Sequence, residues 1–426
     1  MRSSGPCCMR TYGDDQKAMR AMSRLTGLQA LADGAILSPF TRTRRLLEEV
    51  ATEGGTPIDL TIGDPRERMP GFVADKLRES QELFSTYPKI RGSDALRSTI
   101  AAWIGRRYGI AGQIDATREV LPLNGSREGL FFAALPAAGR KRLGVKPAML
   151  IVNPFYQAYL GAAYAVDCEP VFLNATAATG HLPDLEALAR EAELLQRTAA
   201  LYLCSPANPQ GAVAGADYLR RALALARQYD FILFLDECYS EIYTREPPAG
   251  GLPVALETPE RFRNLVVFNS LSKRSNLPGL RSGFAAGDGD FLESLAEIRN
   301  QVAPTMPGPV QHASAAVWED EQHADVIRQA YRAKFDVCDE LLGGRFGYRR
   351  PAGGFFLWLD VGHLGGSEQA TLTLWKRCAV KVIPGAYLAQ EDRSGVNPGR
   401  HYIRVALVQD VATVREALRR IVRISA

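Results

Sequence analysis

Two serines, a lysine and an arginine follow a short apolar run in the middle of the chain. Residues 265–268 are typical of a buried strand, and Ser270, Ser272, Lys273 and Arg281 come after them. Hydroxyl groups beside a guanidinium suit a phosphate dianion, because arginine offers a forked set of donors. A lysine among cations and apolar side chains has a lowered pKa, which leaves its amine available to form an imine with an aldehyde. Pyridoxal phosphate (PLP) carries both a phosphate and an aldehyde, so the stretch predicts a PLP site.

The composition is that of a globular protein without a charged partner. The chain has 426 residues, 46% hydrophobic and 23% charged, and this length predicts more than one domain. A net charge of +4 is small and argues against a nucleic-acid or membrane partner. The 7 cysteines include no Cys-x-x-Cys pair, and the 5 histidines show no metal-ligand spacing. We therefore expect a protein of the reducing cytoplasm, with free thiols, no bound metal and no transmembrane helix.

Four predicted strands each end beside a side chain that can do chemistry. The apolar runs end at residues 153, 204, 235 and 268, and the side chains are Tyr156, Asn208, Asp236 and Lys273. Ligands of open α/β sheets bind outside the carboxyl ends of parallel strands, so these residues are expected to meet there. Tyr156 can stack on a flat ring. Asp236 follows five apolar residues, and its carboxylate suits either a helix N-cap or a cationic partner such as a protonated pyridine nitrogen.

Two further segments carry candidate anion-binding groups. Gly125, Ser126 and Arg127 follow the apolar run at 120–123 and open a helix, where free N–H groups and the helix dipole attract an anion. Arg404 lies inside the apolar run 402–407, and a buried guanidinium needs an anion. A carboxylate of the protein or of a substrate would serve, so Arg404 by itself leaves both interpretations open.

The stretch from Ser270 to Gly283 resembles the cofactor-lysine segment of the class I/II aminotransferases, the fold-type I PLP enzymes. Its Lys-Arg-Ser-Asn and Gly-Leu-Arg-Ser-Gly-Phe strings are similar to one branch, the succinyldiaminopimelate transaminases. The resemblance extends from about residue 35 to the C-terminus. It implies an α/β fold with a mostly parallel central sheet, flanking helices and a smaller α+β domain. We expect a disordered extension at 1–24, a small domain from 25–65 and 320–426, and a large PLP-binding domain at 66–319.

The resemblance also implies roles for individual residues. Lys273 takes the role of the lysine that binds the cofactor and moves the proton during transamination. The other implied cofactor contacts are Ser270, Ser272, Arg281, Tyr156, Asn208, Asp236 and Tyr239, to which the helix start adds Gly125, Ser126 and Arg127. Gly63, Asn208 and Arg404 are implied for the substrate carboxylate, and Tyr159 is interpreted as packing. Tyr87 matches a tyrosine that reaches the neighbouring subunit's phosphate, which implies a homodimer with shared active sites.

The finer resemblance implies transfer of an amino group from N-succinyl-LL-2,6-diaminopimelate to 2-oxoglutarate, within bacterial lysine biosynthesis. An aminotransferase of another amino acid and a carbon–sulfur β-lyase on the same fold are alternatives. A non-catalytic PLP-binding regulator ranks behind them, because about 35 residues before the matched region are too few for a DNA-binding module.

One loop departs from the branch that the motifs indicate. Residues 66–69 differ from the His- and Thr-containing loop expected there. A succinylated substrate carries a distal carboxylate that needs a cation near the mouth of the site. The candidate cations are Arg66, Arg68 and Arg274.

Overall fold

The computed structural model describes residues 27–34, 36–141, 144–302 and 305–425. The extension predicted at residues 1–24 lies outside the described residues. No helix of the described ranges combines the length and the apolar character needed to cross a membrane.

The strands in the described ranges are β1 (Ile58–Asp59), β2 (Val120–Leu123), β3 (Ala148–Asn153), β4 (Glu169–Asn174), β5 (Thr198–Cys204), β6 (Ile232–Asp236), β7 (Leu265–Ser270), β8 (Gly283–Gly287), β9 (Phe356–Asp360), β10 (Val380–Lys381), β11 (Ile383–Pro384) and β12 (Tyr402–Ala406). Seven of them form one sheet in the order β2-β8-β7-β6-β5-β3-β4. Its pairs from β4 to β7 are parallel, whereas β8 runs antiparallel to β7 and β2. The prediction of a mostly parallel α/β sheet is confirmed.

The α-helices are α1 (Gly27–Ala32), α2 (Pro39–Leu47), α3 (Phe72–Glu79), α4 (Asp94–Tyr108), α5 (Ser126–Phe132), α6 (Ala134–Gly139), α7 (Gln157–Ala165), α8 (Leu185–Ala189), α9 (Ala192–Gln196), α10 (Ala216–Gln228), α11 (Gly251–Ala255), α12 (Leu271–Arg274), α13 (Gly289–Val302), α14 (Gly308–Glu319), α15 (Gln322–Leu342), α16 (Ser367–Cys378) and α17 (Val411–Val422). Short 3₁₀ helices lie at Gln81–Ser85, Ala177–Thr179, Pro278–Leu280, Arg345–Gly347, Gly362–Leu364, Gly385–Tyr387 and Arg423–Ser425.

Alternate side chains along each strand pack into two hydrophobic cores, one on each face of the large sheet. In β5, Leu201 and Leu203 pack into one core, and Ala200 and Tyr202 pack into the other. Because helices cover both faces, these strands read as continuous apolar runs. The runs predicted at 120–123, 149–153, 199–204, 231–235 and 265–268 match β2, β3, β5, β6 and β7 within two residues.

Strands β4 and β8 were not predicted. β8 is built from Gly, Phe and Ala, and glycine and alanine are depleted in strands. Its composition follows from close neighbours: a Cβ on Gly283 would lie 2.6 Å from the carbonyl oxygen of Asn269 on β7. β4 begins with Glu-Pro and is only half-buried along most of its length.

Two smaller sheets join the ends of the chain. β1 pairs in parallel with β10, and β12 lies antiparallel between β11 and β9. β1, β10 and β11 have only two residues each. Apolar residues of these strands and of α15, α16 and α17 form one buried cluster. The domain boundaries at 65 and 320 stay a prediction, and α1, inside the range predicted for the small domain, contacts α7.

Candidate active site

Lys273 lies on a single helical turn directly after β7. Ser270 caps this turn, because its Oγ accepts a hydrogen bond from the Ser272 N–H at 3.1 Å. The Lys273 Nζ donates to the carbonyl oxygen of Gly63 at 2.6 Å and lies 5.3 Å from the centroid of the Phe355 ring. Burial lowers the pKa of Lys273 to about 8, against the opposing charge of Asp64. A neutral lysine amine is therefore accessible near physiological pH.

A cradle of donors lies beside this turn at the start of α5. Gly125 has a φ of 78°, and a Cβ there would collide with the guanidinium of Arg281. Arg281 donates to the carbonyl oxygens of Asn124 at 3.0 Å and Pro278 at 2.8 Å. A Cβ on Gly283, which pairs with Ser270 across β7 and β8, would lie 3.1 Å from the backbone nitrogen of Ser126.

This cradle has the chemistry of a dianion site. The turn after β7, the start of α5 and Arg281 together contribute hydroxyl groups, helix N–H groups and a guanidinium. Such donors match the phosphate of PLP.

Asp236 is a buried carboxylate that pairs with no cation among the described residues. It ends β6 and is 6% exposed. Its Oδ2 accepts a hydrogen bond from the Tyr159 hydroxyl at 2.7 Å, and its Oδ1 accepts one from the Cys238 N–H at 3.1 Å. Burial raises the pKa of Asp236, and no lysine, arginine or histidine in the described ranges forms an ion pair with it. The protonated ring nitrogen of PLP is a cation that would fit this position.

Tyr156 and Arg127 are brought together at the N-terminal end of α7. The Arg127 Nε donates to the Tyr156 hydroxyl, and the guanidinium lies 5.4 Å from the ring centroid. Tyr156 also meets Tyr159 edge-on, with ring centroids 5.7 Å apart. The half-buried ring of Tyr156 therefore contacts the ring of Tyr159, whose hydroxyl donates a hydrogen bond to Asp236.

Arg404 is a buried guanidinium that pairs with no carboxylate in the described part of the chain. It is 4% exposed, and its Nη1 donates to the Oδ1 of Asn208 at 3.2 Å. Its Nη2 donates to the carbonyl oxygen of Thr61 at 2.7 Å, whereas its Nε has no partner among the described residues. Burial lowers the pKa of Arg404 to about 10, and the nearby Tyr239 opposes that change. No acidic side chain of the described ranges pairs with Arg404. This argues against the interpretation of Arg404 as half of a structural ion pair.

Gly63 lies in crowded surroundings, whereas Tyr87 is exposed. A Cβ on Gly63 would lie 2.6 Å from Cζ of Phe356, so a side chain has no room there. The carbonyl oxygen of Gly63 accepts a hydrogen bond from the Lys273 Nζ. Tyr87 has a relative exposure of 103%, and Phe84 beside it has 64%. Tyr87 therefore does not join the other candidate residues of its own chain.

Three features differ from the sequence-based interpretation or were missed by it. Tyr159 packs against Tyr202, as predicted, but its hydroxyl also holds Asp236. Cys238 was not selected, although its thiol donates to the Ser126 Oγ at 3.0 Å. Arg274 was wrong as a distal cation, because it is 1% exposed and already paired with Glu321. Tyr156 is the extended N-cap residue of α7 and Tyr159 lies in the first turn of that helix, so a second tyrosine three residues after the stacking candidate was the available signal.

The comparisons with known proteins agree with the chemistry of this site. The fit of these groups to PLP indicates an α/β enzyme that depends on this cofactor. The model of the family "Aminotransferase class I and II" matches residues 56–421. The chain therefore belongs to this family and is a PLP-dependent aminotransferase.

Individual relatives are aminotransferases as well. The chain is 30% identical over 392 residues to the LL-diaminopimelate aminotransferase of Syntrophobacter fumaroxidans, covering 91% of this chain and 96% of that protein. It is similar to the structure of an aminotransferase from Neisseria meningitidis, with 38% identity, a TM-score of 0.86 and coverage of 91% and 98%. A structure from Thermus thermophilus, described as a probable N-succinyldiaminopimelate aminotransferase, shares 26% identity at a TM-score of 0.76, with coverage of 91% and 100%.

Proposed function

We propose that the protein is an N-succinyl-LL-2,6-diaminopimelate aminotransferase that uses 2-oxoglutarate as amino acceptor, in bacterial lysine biosynthesis. The observation that carries the proposal is Arg404, a buried guanidinium that no carboxylate of the described residues pairs with, which suits the α-carboxylate of an amino acid. The motif strings around Lys273 and the likeness to the Thermus thermophilus protein support the succinylated substrate.

Each candidate residue has a role in this proposal. PLP supplies an aldehyde that condenses with amines and a cationic ring that accepts electrons. Lys273 holds the cofactor and then moves a proton at the substrate α-carbon, for which its pKa of about 8 is suited. Asp236 keeps the ring nitrogen protonated. Arg404 and Asn208 fix the substrate carboxylate, so that the α-C–H bond is held towards Lys273.

The remaining assignments complete the cofactor site. Ser270, Ser272, Ser126 and the backbone at Gly125 bind the phosphate together with Arg281. Tyr156 stacks on the ring, and Tyr239 and Asn208 contact its oxygen. The closeness of Gly125 to Arg281, and of Ser126 to Gly283, supports one shared cradle.

A homodimer is part of the proposal. Tyr87, Phe84 and Leu83 are exposed together near the 3₁₀ helix Gln81–Ser85, as expected of a surface covered by a second copy. Through this contact, Tyr87 would complete the phosphate site of the partner. The free thiols of Cys204, Cys238, Cys338 and Cys378 support a cytoplasmic location.

A second candidate substrate is free LL-diaminopimelate. The observation that favours it is the name of the curated relatives with 30% identity, which are LL-diaminopimelate aminotransferases. For the succinylated substrate, Arg66 and Arg68 remain as exposed candidate cations, with Arg66 bound to the Oε1 of Gln409 at 2.9 Å.

A panel of amino donors tests the proposal. With 2-oxoglutarate as acceptor, kcat/KM is measured for N-succinyl-LL-diaminopimelate, LL-diaminopimelate and ornithine derivatives. We expect the succinylated donor to be preferred by roughly 10- to 100-fold, the equivalent of one charge-assisted contact. A preference for LL-diaminopimelate would select the second candidate. A preference for neither would remove both substrate assignments and leave the family assignment intact.

A variant pair tests the carrying observation. Arg404→Gln should lower kcat/KM for every amino donor by about 100-fold or more, because the α-carboxylate loses a forked cation. Arg66→Gln should lower it only for the succinylated donor. An equal loss in the two variants for all donors would contradict the separate roles of Arg404 and the loop.

A further inference from the structure

Arg274, the residue after Lys273, is a completely buried cation that extends away from the candidate active site. Its side chain is 0% exposed. The guanidinium carbon lies 5.7 Å and 5.2 Å from the ring centroids of Trp103 and Trp318. Contacts with two indole rings stabilise a desolvated cation. Its burial rules out the role of a distal cation for the substrate.

Apart from a hydrogen bond to the Oγ of the adjacent Ser275 at 3.3 Å, the polar contacts of Arg274 lie at the junction of α14 and α15. Its Nη1 donates to the carbonyl oxygen of Val317 at 3.0 Å. Its Nη2 donates to the carbonyl oxygen of Asp320 and to the Oε1 of Glu321, both at 2.9 Å. The three acceptors belong to the end of α14 and to the two residues that precede α15, so a single side chain connects α12 with both helices.

His323 adds to this cluster from the first turn of α15. Its Nε2 lies 3.3 Å from the Nη1 of Arg274 and 2.8 Å from the Oγ of Ser275, and its Nδ1 contacts Asp320. Burial lowers the pKa of His323, in opposition to Asp320. A neutral ring leaves the positive charge of the cluster on Arg274.

The turn that carries Lys273 needs such an anchor. α12 has four residues, and a helix of this length has no independent stability. Ser270 caps its beginning, and beyond Lys273 the chain leaves the helix at Ser275. The position of the Lys273 amine therefore depends on what holds this turn from behind.

Helix α15 also holds the loop on the other side of Lys273. The Nζ of Lys334 pairs with the Oε1 of Glu67 at 2.7 Å, and Glu67 lies four residues after Gly63, whose carbonyl accepts Lys273. The same helix thus contacts the lysine turn through Arg274 and the Gly63 loop through Lys334. The turn that carries Lys273 and the loop whose carbonyl accepts a hydrogen bond from its amine are therefore both held by α15.

We propose that Arg274 is a positioning residue, which holds α12 against the α14–α15 junction and so sets the position of the Lys273 amine. The proposal rests on the role proposed for Lys273. Borohydride reduction of the wild-type holoenzyme followed by peptide mapping tests that role separately, since the cofactor label must then be found on Lys273. A label on another lysine would overturn both proposals, whereas the experiments on Arg274 below affect the positioning role alone.

The test compares Arg274→Lys with Arg328→Lys in the holoenzyme. Lysine keeps the charge at either position but loses the fork. Arg328 is a matched control because its side chain is 9% exposed, it pairs with Glu241 at 3.3 Å, and it lies on the same helix α15. The measurements are kcat, KM, Tm and the pH midpoint of the cofactor's absorbance.

We expect Arg274→Lys to lower kcat by about 10- to 100-fold, the scale of a misplaced catalytic group, with KM nearly unchanged and the absorbance midpoint shifted. Arg328→Lys should lower Tm without changing kcat or the midpoint. A loss of Tm alone in Arg274→Lys, or equal losses of kcat in both variants, would overturn the positioning role.

A milder change covers the case in which Arg274→Lys does not fold. Glu321→Gln removes the anionic partner of Arg274 from a side chain that is 49% exposed, so the protein should still fold. We expect a smaller fall in kcat and a shift of the absorbance midpoint in the same direction. Wild-type values of both in Glu321→Gln, with no folded Arg274→Lys to measure, would also overturn the proposal.

Discussion

Tyr159→Phe gives a direct test of how Asp236 is held. The hydroxyl of Tyr159 donates to this carboxylate at 2.7 Å, and the Cys238 N–H donates to it at 3.1 Å. Phenylalanine keeps the ring that stacks on Tyr202 with centroids 4.7 Å apart, so packing is preserved and only the donor is lost. Asp236 then keeps its contacts with Cys238 in a buried position, where burial already raises its pKa.

The size of the effect follows from the charge on the acceptor. A hydrogen bond to a charged group contributes about 1.5–3 kcal/mol, which corresponds to roughly 10- to 100-fold in an equilibrium or a rate. If Asp236 keeps the cofactor ring protonated, kcat/KM should fall by that factor in saturating PLP. The affinity for PLP should fall as well, because the ring nitrogen loses part of its counter-charge.

Tyr202→Phe is the matched control. Tyr202 belongs to the same stacked pair, but its hydroxyl donates to the carbonyl oxygen of Leu130 at 2.8 Å and not to Asp236. Both variants are assayed for kcat/KM at saturating PLP, for PLP affinity and for Tm. Near-normal turnover in Tyr159→Phe, or a loss no larger than that in Tyr202→Phe, would refute the reasoning.

Three further predictions follow from burial and charge. Burial lowers the pKa of Lys273 from 10.5 to about 8, so between pH 8 and pH 10.5 the unfolded apoprotein binds more protons than the folded apoprotein, and the free energy of unfolding should rise with pH in that window. The attachment of PLP should increase with pH around a midpoint near 8. A midpoint near 10 would contradict the lowered pKa. Glu67→Gln should destabilise the protein by about 3 kcal/mol in urea unfolding, because the side chain of Lys334, which is 1% exposed, loses its anionic partner. Adding Lys334→Met to the Glu67→Gln variant should restore part of the lost stability. An unchanged unfolding midpoint in Glu67→Gln would exclude a stabilising ion pair. Light scattering should show a dimer, and Tyr87→Ala should weaken PLP binding without affecting Tm; a fully active monomer would rule out the shared site.

Local pattern was sufficient for the elements that carry the candidate residues. Each predicted strand that ends near Tyr156, Asn208, Asp236 or Lys273 is a strand of the large sheet. Burial on both faces makes such strands continuously apolar, and their ends are then marked by the first polar or turn residues. The glycine before α5 is likewise readable from neighbouring residues, whereas the short helix after β7 was not predicted.

The sequence by itself therefore determined the family, the cofactor and the side chains presented at the edge of the sheet. Only the tertiary structure decided which of them are partnered. Among the described residues, Arg404 has an amide and a carbonyl as partners but no carboxylate, and Tyr159 reaches a carboxylate 77 residues away in the chain. Arg274, which stands beside Lys273 in sequence, is enclosed by two tryptophans and a junction over 40 residues further on. These contacts join segments far apart in sequence, and no local periodicity reports on such pairs, because their partners are chosen by how helices pack on the sheet.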